Sequence, residues 1–142
     1  VRSSAASDVY KRQKQDYLLR MIQEIISLIA NAILNKKKIR QQEWVEYDCL
    51  TGQILGFPAE QLIGMDMQEL IEQYEGDPDR MGKIELAAMT LLKMSDETDA
   101  DHLLQKSKLR QEGMELLKYV QKAGNTFSIQ RVALINLLEM NG

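Results

Sequence analysis

The chain has 142 residues and a net charge of −3, and 44% of its residues are hydrophobic, which is typical of one soluble globular domain. Its single cysteine excludes an internal disulfide and favours a reducing, cytoplasmic location. Ten acidic residues and no lysine or arginine lie between Gln41 and Asp79, which argues against nucleic acid as a partner because phosphate binding needs basic residues spread over one face.

Residues 1–13 form a polar segment that we set apart from the rest of the chain. The string Asp8–Gln13, with Val1–Ser7 before it, resembles the translation of a transposon-derived sequencing adapter. The resemblance implies a non-native scar, and the alternative is a disordered natural terminus. In both cases we expect residues 14–142 to form a single helical domain.

The first predicted helix runs from Tyr17 to Asn35, and its polar residues fall on one stripe of a helix turning about 100° per residue. Those residues are Arg20, Gln23, Glu24, Ser27, Asn31 and Asn35. The remaining positions are almost all apolar, so this helix should pack on more than one neighbour. The polar stripe argues against a transmembrane span, which needs about 20 nearly uninterrupted apolar residues.

A basic cluster consisting of Lys36, Lys37, Lys38 and Arg40 follows this helix. These side chains can complement the helix C-terminus and neutralise part of the acidic stretch, or they can meet anionic lipid headgroups. We favour the first interpretation because residues 41–142 carry nine bases against eighteen acids, a net charge of −9 that the same lipids would repel.

The middle of the chain predicts shorter helices separated by turn residues. Residues 41–55 carry apolar anchors at helical spacing and end before Gly56, which suits a left-handed closing position. Pro58 opens one or two further turns that Gly64 ends.

Two capping signals follow. Asp66 and Glu69 have the spacing of a capping box and open a helix over 67–74. An acid and a first-turn proline at 77–78 open another helix, which ends near Met94.

An acidic loop over 95–101 leads into a helix over 101–122. Lys106 and Arg110 project into its apolar arc, and Gly113 costs about 1 kcal/mol relative to alanine. We therefore expect the first half of this helix to be partly exposed.

The last predicted helix is opened by Thr126 or Ser128. Its predicted apolar face consists of Ile129, Val132, Ala133, Leu137 and Met140. The whole pattern predicts an all-α fold of about six helices arranged as a bundle of helical hairpins.

Three segments carry a resemblance to a known family: Gln15–Ile22, the lysine cluster, and Thr126–Ser128. They resemble a group of small bacterial all-helical proteins classed as a domain of unknown function, whose second half is similar to degenerate tetratricopeptide hairpins. The resemblance implies a fold over Lys14–Met140 and brings no chemistry with it.

The chain departs from the tetratricopeptide signature, which places Trp, Leu-Gly and Tyr at fixed offsets. Trp44 has Tyr47 three residues later where leucine is expected, and Leu55-Gly56 is followed by Ala59 where tyrosine is expected. A peptide-binding groove therefore does not follow from the resemblance.

The sequence predicts no catalytic residue, no metal ligand and no cofactor. His102 is the only histidine, which leaves a zinc site short of ligands. Cys49 has no histidine nearby to activate it and is interpreted as a small buried residue. Carboxylate pairs such as Glu69 and Glu72 are interpreted as solvated helix faces.

We therefore predict a non-enzymatic protein-interaction or scaffold module with an unidentified protein partner. It would use grooves between hairpins or an exposed methionine-rich patch. The alternative is peripheral membrane association through the first helix and the basic cluster. A homodimer is compatible with either function. The candidate interaction residues are Lys36, Lys37, Lys38, Arg40, Lys106 and Arg110.

Overall fold

The computed structural model describes the backbone of residues 2–124 and 126–140, and the side chains of residues 16–124 and 126–140. Within these residues the chain has six α-helices, two short 3₁₀ turns and no strand, which confirms the predicted all-α fold. The helices are α1 (Arg2–Leu34), α2 (Gln41–Leu55), α3 (Met67–Gln73), α4 (Arg80–Glu97), α5 (Leu103–Ala123) and α6 (Ile129–Met140). The 3₁₀ turns are Ala59–Leu62 and Ala100–His102.

Helix α4 is the centre of the molecule, and residues 86–93 are buried on all sides. Such a helix needs neighbours around its whole circumference. Helix α5 runs antiparallel to it. At one end the Ser95 hydroxyl donates to the Lys106 carbonyl (2.8 Å), and at the other Arg80 Nη2 donates to the Tyr119 hydroxyl (2.9 Å).

Gly113 marks the closest approach of α4 and α5. A Cβ at this position would lie 2.9 Å from Leu92 Cγ and 3.0 Å from the Ala88 carbonyl oxygen. The prediction that this glycine only weakens α5 is therefore incomplete. Its missing side chain lets the two helix backbones come together.

Helices α1 and α6 run in the same direction as α4. Ile22 of α1 lies beside Gly82 near the start of α4, and Ile33 lies beside Leu92 near its end. Gln130 at the start of α6 donates to Asn31 Oδ1 on α1 (3.1 Å). Leu137 and Leu138, near the end of α6, line the same cleft as the residues that follow α1 and as Ser95 and Asp96 near the end of α4. The C-terminal ends of α1, α4 and α6 therefore meet at one end of the bundle.

Helix α1 begins at Arg2, fifteen residues before the predicted start, so its backbone includes most of the segment set apart above. By length and composition one segment of it, Asp16–Leu34, could cross a membrane, with a mean hydropathy of 1.4. Ile22, Ile25 and Ile29 are fully buried in the core. These isoleucines pack one side of this segment into the core, and 22% of the segment is buried.

Helix α2 has the predicted bounds, and Gly56 ends it in the left-handed conformation with φ +91°. Asp66 caps α3 by accepting a hydrogen bond from the amide of Gln68. The Tyr74 hydroxyl donates to the Leu55 carbonyl (2.8 Å) and joins the ends of α2 and α3. Burial raises the pKa of Tyr74 to about 12, and so this phenol keeps its proton.

The predicted end of α4 is wrong, and one of the two predicted caps of α6 is confirmed. Helix α4 continues to Glu97, three residues past Met94. Within this extra turn Lys93 pairs with Glu97 four residues later, which supports helix over part of the predicted acidic loop. Of the two predicted caps for α6, Ser128 is correct, because its hydroxyl accepts from the Arg131 amide (3.2 Å).

The predicted apolar face of α6 is wrong by about one residue, or 100° of helix rotation. The buried residues are Arg131, Leu134 and Leu138, whereas Ile129 and Met140 are exposed. The cause is Arg131, whose guanidinium takes an inward position. Arg131, a charged residue, therefore shares the buried side of α6 with Leu134 and Leu138.

Candidate functional site

A cleft with a volume of about 410 Å³ lies at the end of the bundle where α1, α4 and α6 finish. Five of the six predicted interaction residues line it. We call this site the basic cleft and define it by its lining residues: Lys36, Lys37, Lys38, Lys106, Arg110, Ile33, Leu92, Ser95, Asp96, Leu137 and Leu138. Cations separated by about 70 positions in the chain therefore share one site.

Two of the cations are held by helix ends. Lys106 Nζ donates to the Thr98 carbonyl at the end of α4 (3.2 Å). Arg110 Nη2 donates to the Leu138 carbonyl near the end of α6 (2.8 Å). The last carbonyls of a helix lack partners inside the helix and carry partial negative charge, and cationic donors satisfy both needs.

At the end of α1, backbone amides satisfy the last carbonyls instead of side chains. Lys37 N donates to the Ala32 carbonyl (2.8 Å) and Lys36 N to the Ile33 carbonyl (3.3 Å). This pair of bonds is a Schellman motif, with Lys36 at the left-handed position. Lys36 has φ +55° and is the one non-glycine residue with positive φ in the described chain. Glycine would fit this position without the steric cost of a Cβ.

Lys36, Lys37 and Lys38 are exposed. None of them forms an ion pair with a described residue. The five cations of the cleft face one carboxylate, Asp96, and three helix C-termini that each carry about half a negative charge. Counted over its own lining alone, the cleft has a net positive charge of about two to three.

Arg40 lies outside the basic cleft, unlike the other five predicted interaction residues. It precedes the first residue of α2, and its carbonyl accepts from the amides of Glu43 and Trp44 (both 3.0 Å). The backbone between Lys38 and Arg40 carries it away from the helix ends to the start of α2.

A second cavity, of about 530 Å³, borders the same loop and contains the chain's only tryptophan. Lys93 Nζ lies 4.2 Å from the centroid of the Trp44 ring, within the range of a cation–π contact. Asp48, Glu60, Asp96 and Glu97 line this cavity together with Lys37, Lys38 and Lys93. Because the charges of this tryptophan pocket are mixed, it has no preference for one sign.

The basic cleft combines positive charge with aliphatic side chains. Its aliphatic residues, Ile33, Leu92, Leu137 and Leu138, come from three helices, and its free ammonium groups come from the loop after α1. A polypeptide segment with carboxylates beside one or two aliphatic side chains would use both features.

Other sequence candidates lie elsewhere. His102 is exposed at the start of α5, and no group of three His, Cys, Asp or Glu side chains in the described residues could hold a metal ion. Cys49 is exposed, so the prediction that it is buried is wrong. Of the five methionines clustered between Met65 and Met94, none is exposed, so they form no exposed methionine-rich patch.

A buried cation that the sequence pattern does not predict lies at the opposite end of α6. The side chain of Arg131 is 2% exposed, and it donates from Nε to Gln121 Oε1 (2.7 Å) and from Nη1 to Glu85 (3.1 Å). Its Nη2 donates to the Thr126 carbonyl. The only sequence signal for this site is an arginine among apolar positions of a short helix.

Burial raises the pKa of Glu85 above its ordinary value, and the facing Arg131 charge opposes that rise. The pair and its neighbours connect α4, α5, the turn before α6 and α6 itself. Every nitrogen of this guanidinium is occupied within the protein, so this cation serves the fold and is closed to a partner.

In comparisons with known proteins, no family model matches the chain, and no curated protein or solved structure does.

Proposed function

We propose that the protein is a non-enzymatic interaction module, built from tetratricopeptide-like helical hairpins, whose basic cleft binds an acidic segment of another protein. The antiparallel pairing of α4 and α5 supports the hairpin arrangement. The observation that carries the proposal is the free charge at the cleft. Three exposed lysines without ion pairs border an aliphatic surface.

The free lysines distinguish a binding surface from a purely structural one. Lys106 and Arg110 already donate hydrogen bonds to two helix ends. These bonds explain the positions of both side chains without a ligand. Lys36, Lys37 and Lys38 form no side-chain hydrogen bond within the described residues. Three like charges on neighbouring residues repel one another, and an acidic ligand relieves that repulsion.

A membrane surface is the weaker ligand for the same charges. Membrane association through α1 needs an apolar helix face that lipid can reach. The isoleucines at positions 22, 25 and 29 are fully buried in the core. Lipid could reach them only if α1 left the bundle, which would expose the core.

A titration with an acidic peptide tests the proposal. The probe is a helical peptide of glutamate and leucine, with leucines at i, i+4 spacing, and its control has glutamine in place of glutamate. Trp44 lies in the pocket beside the loop, so its fluorescence reports the titration. We expect saturable, salt-sensitive binding of the acidic peptide only.

Two variants of equal charge change locate the binding. Lys37→Glu/Lys38→Glu reverses two cleft lysines, and Lys108→Glu/Lys122→Glu reverses two exposed lysines of α5 outside the cleft. We expect the cleft variant to bind about tenfold more weakly, the loss of two surface ion pairs, and the control to bind like the unmodified protein. Equal effects of the two variants, or no binding of the acidic peptide, would contradict the proposal.

Sedimentation with phosphatidylserine vesicles tests the membrane alternative. We expect the protein to stay in the supernatant. Salt-sensitive pelleting that is lost in Lys37→Glu/Lys38→Glu and kept in Lys108→Glu/Lys122→Glu would favour the membrane instead.

A further inference from the structure

Three helices each contribute to the tryptophan pocket a pair of residues that are four positions apart. That spacing places both members of a pair on the same side of their helix. The volume of about 530 Å³ is within the range of about 300–1,000 Å³ that is typical of small-molecule sites. The pairs are Ile29 and Ile33 on α1, Trp44 and Asp48 on α2, and Lys93 and Glu97 on α4.

The most buried residues of this pocket include one cation. Ile29 and Thr90 are buried, and the Thr90 hydroxyl already donates to the Leu86 carbonyl (2.8 Å). Trp44 and Met94 are half-buried and add further apolar surface. The side chain of Lys93 is 9% exposed. The pocket therefore offers a ligand apolar contacts together with one well-shielded ammonium group.

The ammonium group of Lys93 retains hydrogen-bonding capacity. It has three N–H donors, and its acceptor among the described residues is Oε1 of Glu97. The Trp44 ring, 4.2 Å from Nζ, covers another side of the ammonium group by a cation–π contact. The side chain of Glu97 is 53% exposed, and its Oε2 accepts no side-chain hydrogen bond from a described residue. The ion pair therefore presents an open donor and an open acceptor side by side.

We propose that the tryptophan pocket binds a free α-amino acid with a large apolar side chain. The carboxylate of the ligand accepts from Lys93, and its ammonium group donates to Glu97. Both groups of an α-amino acid are bonded to one carbon, so their charges are as close together as those of the ion pair. The side chain of the ligand packs on Ile33, Trp44 and Met94. Hydrogen bonds between charged groups are about twice as strong as neutral ones, so both ends of the pair contribute to selectivity.

The mixed charge of the pocket favours a zwitterion over an ion of one sign. Three lysines and four acidic residues line it. A ligand with a carboxylate alone would place that group beside the carboxylate of Glu97, and a ligand with an ammonium group alone would lie beside Lys93. An α-amino acid avoids both like-charge contacts, and this difference rejects the other two kinds of ligand.

This site is separate from the one proposed to bind an acidic segment. Lys93, Trp44 and Glu97 do not line the basic cleft. The amino-acid site therefore does not depend on the proposed function, and each can fail without the other.

Equilibrium dialysis with radiolabelled L-phenylalanine tests the site on the unmodified protein. Two analogues compete with the label: L-phenylalaninamide, which lacks the carboxylate, and 3-phenylpropionate, which lacks the ammonium group. We expect saturable binding of L-phenylalanine and about tenfold weaker binding of each analogue, because each loses a hydrogen bond between charged groups. No saturable binding below about 1 mM L-phenylalanine, or equal binding of the three compounds, would overturn the proposal.

The variant Lys93→Met locates the carboxylate of the ligand. It keeps an unbranched apolar stem and removes the ammonium group. We expect L-phenylalanine to bind about tenfold more weakly and L-phenylalaninamide to bind as it does to the unmodified protein, because the amide has no carboxylate to lose. Equal weakening of both compounds would mean that Lys93 only shapes the pocket, and it would contradict the assigned contact.

Lys118→Met is the matched control, since it also removes a lysine from an ion pair, with Glu139 (2.8 Å), away from the tryptophan pocket. It should bind L-phenylalanine like the unmodified protein. Circular dichroism shows whether each variant keeps its helices. The acidic peptide should bind Lys93→Met normally, so the proposed function is tested separately in the same variant.

The variant Glu97→Gln locates the other end of the ligand at a half-exposed position, where the substitution leaves the core unchanged. We expect L-phenylalanine to bind about fivefold more weakly, because a neutral acceptor replaces a charged one. Binding of 3-phenylpropionate, which has no ammonium group, should not weaken. Unchanged binding of L-phenylalanine, or weakening of both compounds, would overturn the assigned pairing with Glu97.

Discussion

The two ends of α6 hold positive charge in opposite ways. At its start, Arg131 is buried and each of its nitrogens donates to a protein acceptor. Beyond its end, Lys36, Lys37 and Lys38 are in water without ion pairs to described residues. All the nitrogens of the buried cation are bonded within the protein, whereas the ammonium groups of the other three are exposed to solvent.

The difference predicts how strongly stability depends on each of the two kinds of cation. A buried ion pair is strongly destabilising to break, because one partner is left uncompensated. Exposed charges contribute little to stability, so their removal should change it little. Substitution of Arg131 should therefore change the free energy of unfolding, whereas substitution of the exposed lysines should mainly change ligand binding.

The largest expected effect is at the buried end. Arg131→Ala leaves the Glu85 carboxylate buried without its partner, and we expect a loss of about 3–5 kcal/mol in the free energy of unfolding. Urea denaturation followed by circular dichroism measures it. Lys118→Ala is the control, since it removes a half-exposed pair with Glu139 and should cost less than about 1 kcal/mol. Equal losses of unfolding free energy in the two variants would contradict the stabilising role of the buried ion pair.

The deficit of Arg131→Ala should also depend on pH. Burial already raises the pKa of Glu85, and removing the facing cation raises it further. A carboxyl group whose pKa is raised in the folded state stabilises the protein at low pH and loses that contribution as pH rises through the folded pKa. We therefore expect a larger deficit at about pH 7 than at about pH 4. A deficit independent of pH would contradict the role of Glu85.

An intermediate effect is expected at Gly113, which lies between the two regions. Gly113→Ala places a Cβ 3.0 Å from the Ala88 carbonyl oxygen and 2.9 Å from Leu92, which lines the basic cleft. Overpacking should exceed the gain in helix propensity, with a net loss of about 1–2 kcal/mol in the free energy of unfolding.

Gly82→Ala is a matched control for Gly113→Ala on α4. A Cβ there would lie 3.5 Å from Ile22, an ordinary contact. Propensity should dominate in this case, and stability should rise by up to about 1 kcal/mol. Thermal unfolding of the two variants should therefore shift in opposite directions, and shifts of the same sign would contradict the close approach at Gly113.

The smallest effect should come from Lys36→Gly. It removes a Cβ from a left-handed backbone with φ +55°, and we expect stability to increase by about 1 kcal/mol. The same change removes one free charge, so binding of the acidic peptide should weaken by about twofold to fivefold. Gains in both properties would mean that the lysine does not serve the cleft.

Local patterns in the sequence were enough to predict the bounds of α2 and the end of that helix at Gly56, because both depend on neighbouring residues. Charge alone was enough to select Lys36, Lys106 and Arg110 as one candidate set. Their meeting in a single cleft depends on where three helices end, which no local pattern contains.

The errors have physical causes of the same kind. Arg131 is not part of the predicted apolar face of α6, but acceptors from three other segments hold it inside. Cys49 was expected to be buried from the general preference of cysteine. The inward positions of α2 are instead taken by Thr51, Ile54 and Leu55. Such choices are made by tertiary contacts that form only when the helices pack.

Because α1, α4 and α6 run in the same direction, three helix C-termini with partial negative charge lie at the basic cleft. The net charge of the cleft is therefore positive only while its lysines are charged. Acetylation of a lysine removes its charge, and the three lysines that keep the cleft positive are the exposed ones. Once they are acetylated, only Lys106 and Arg110 oppose Asp96 and three helix ends of about half a charge each. The remaining field is then close to zero, and a surface that held an acidic ligand would release it.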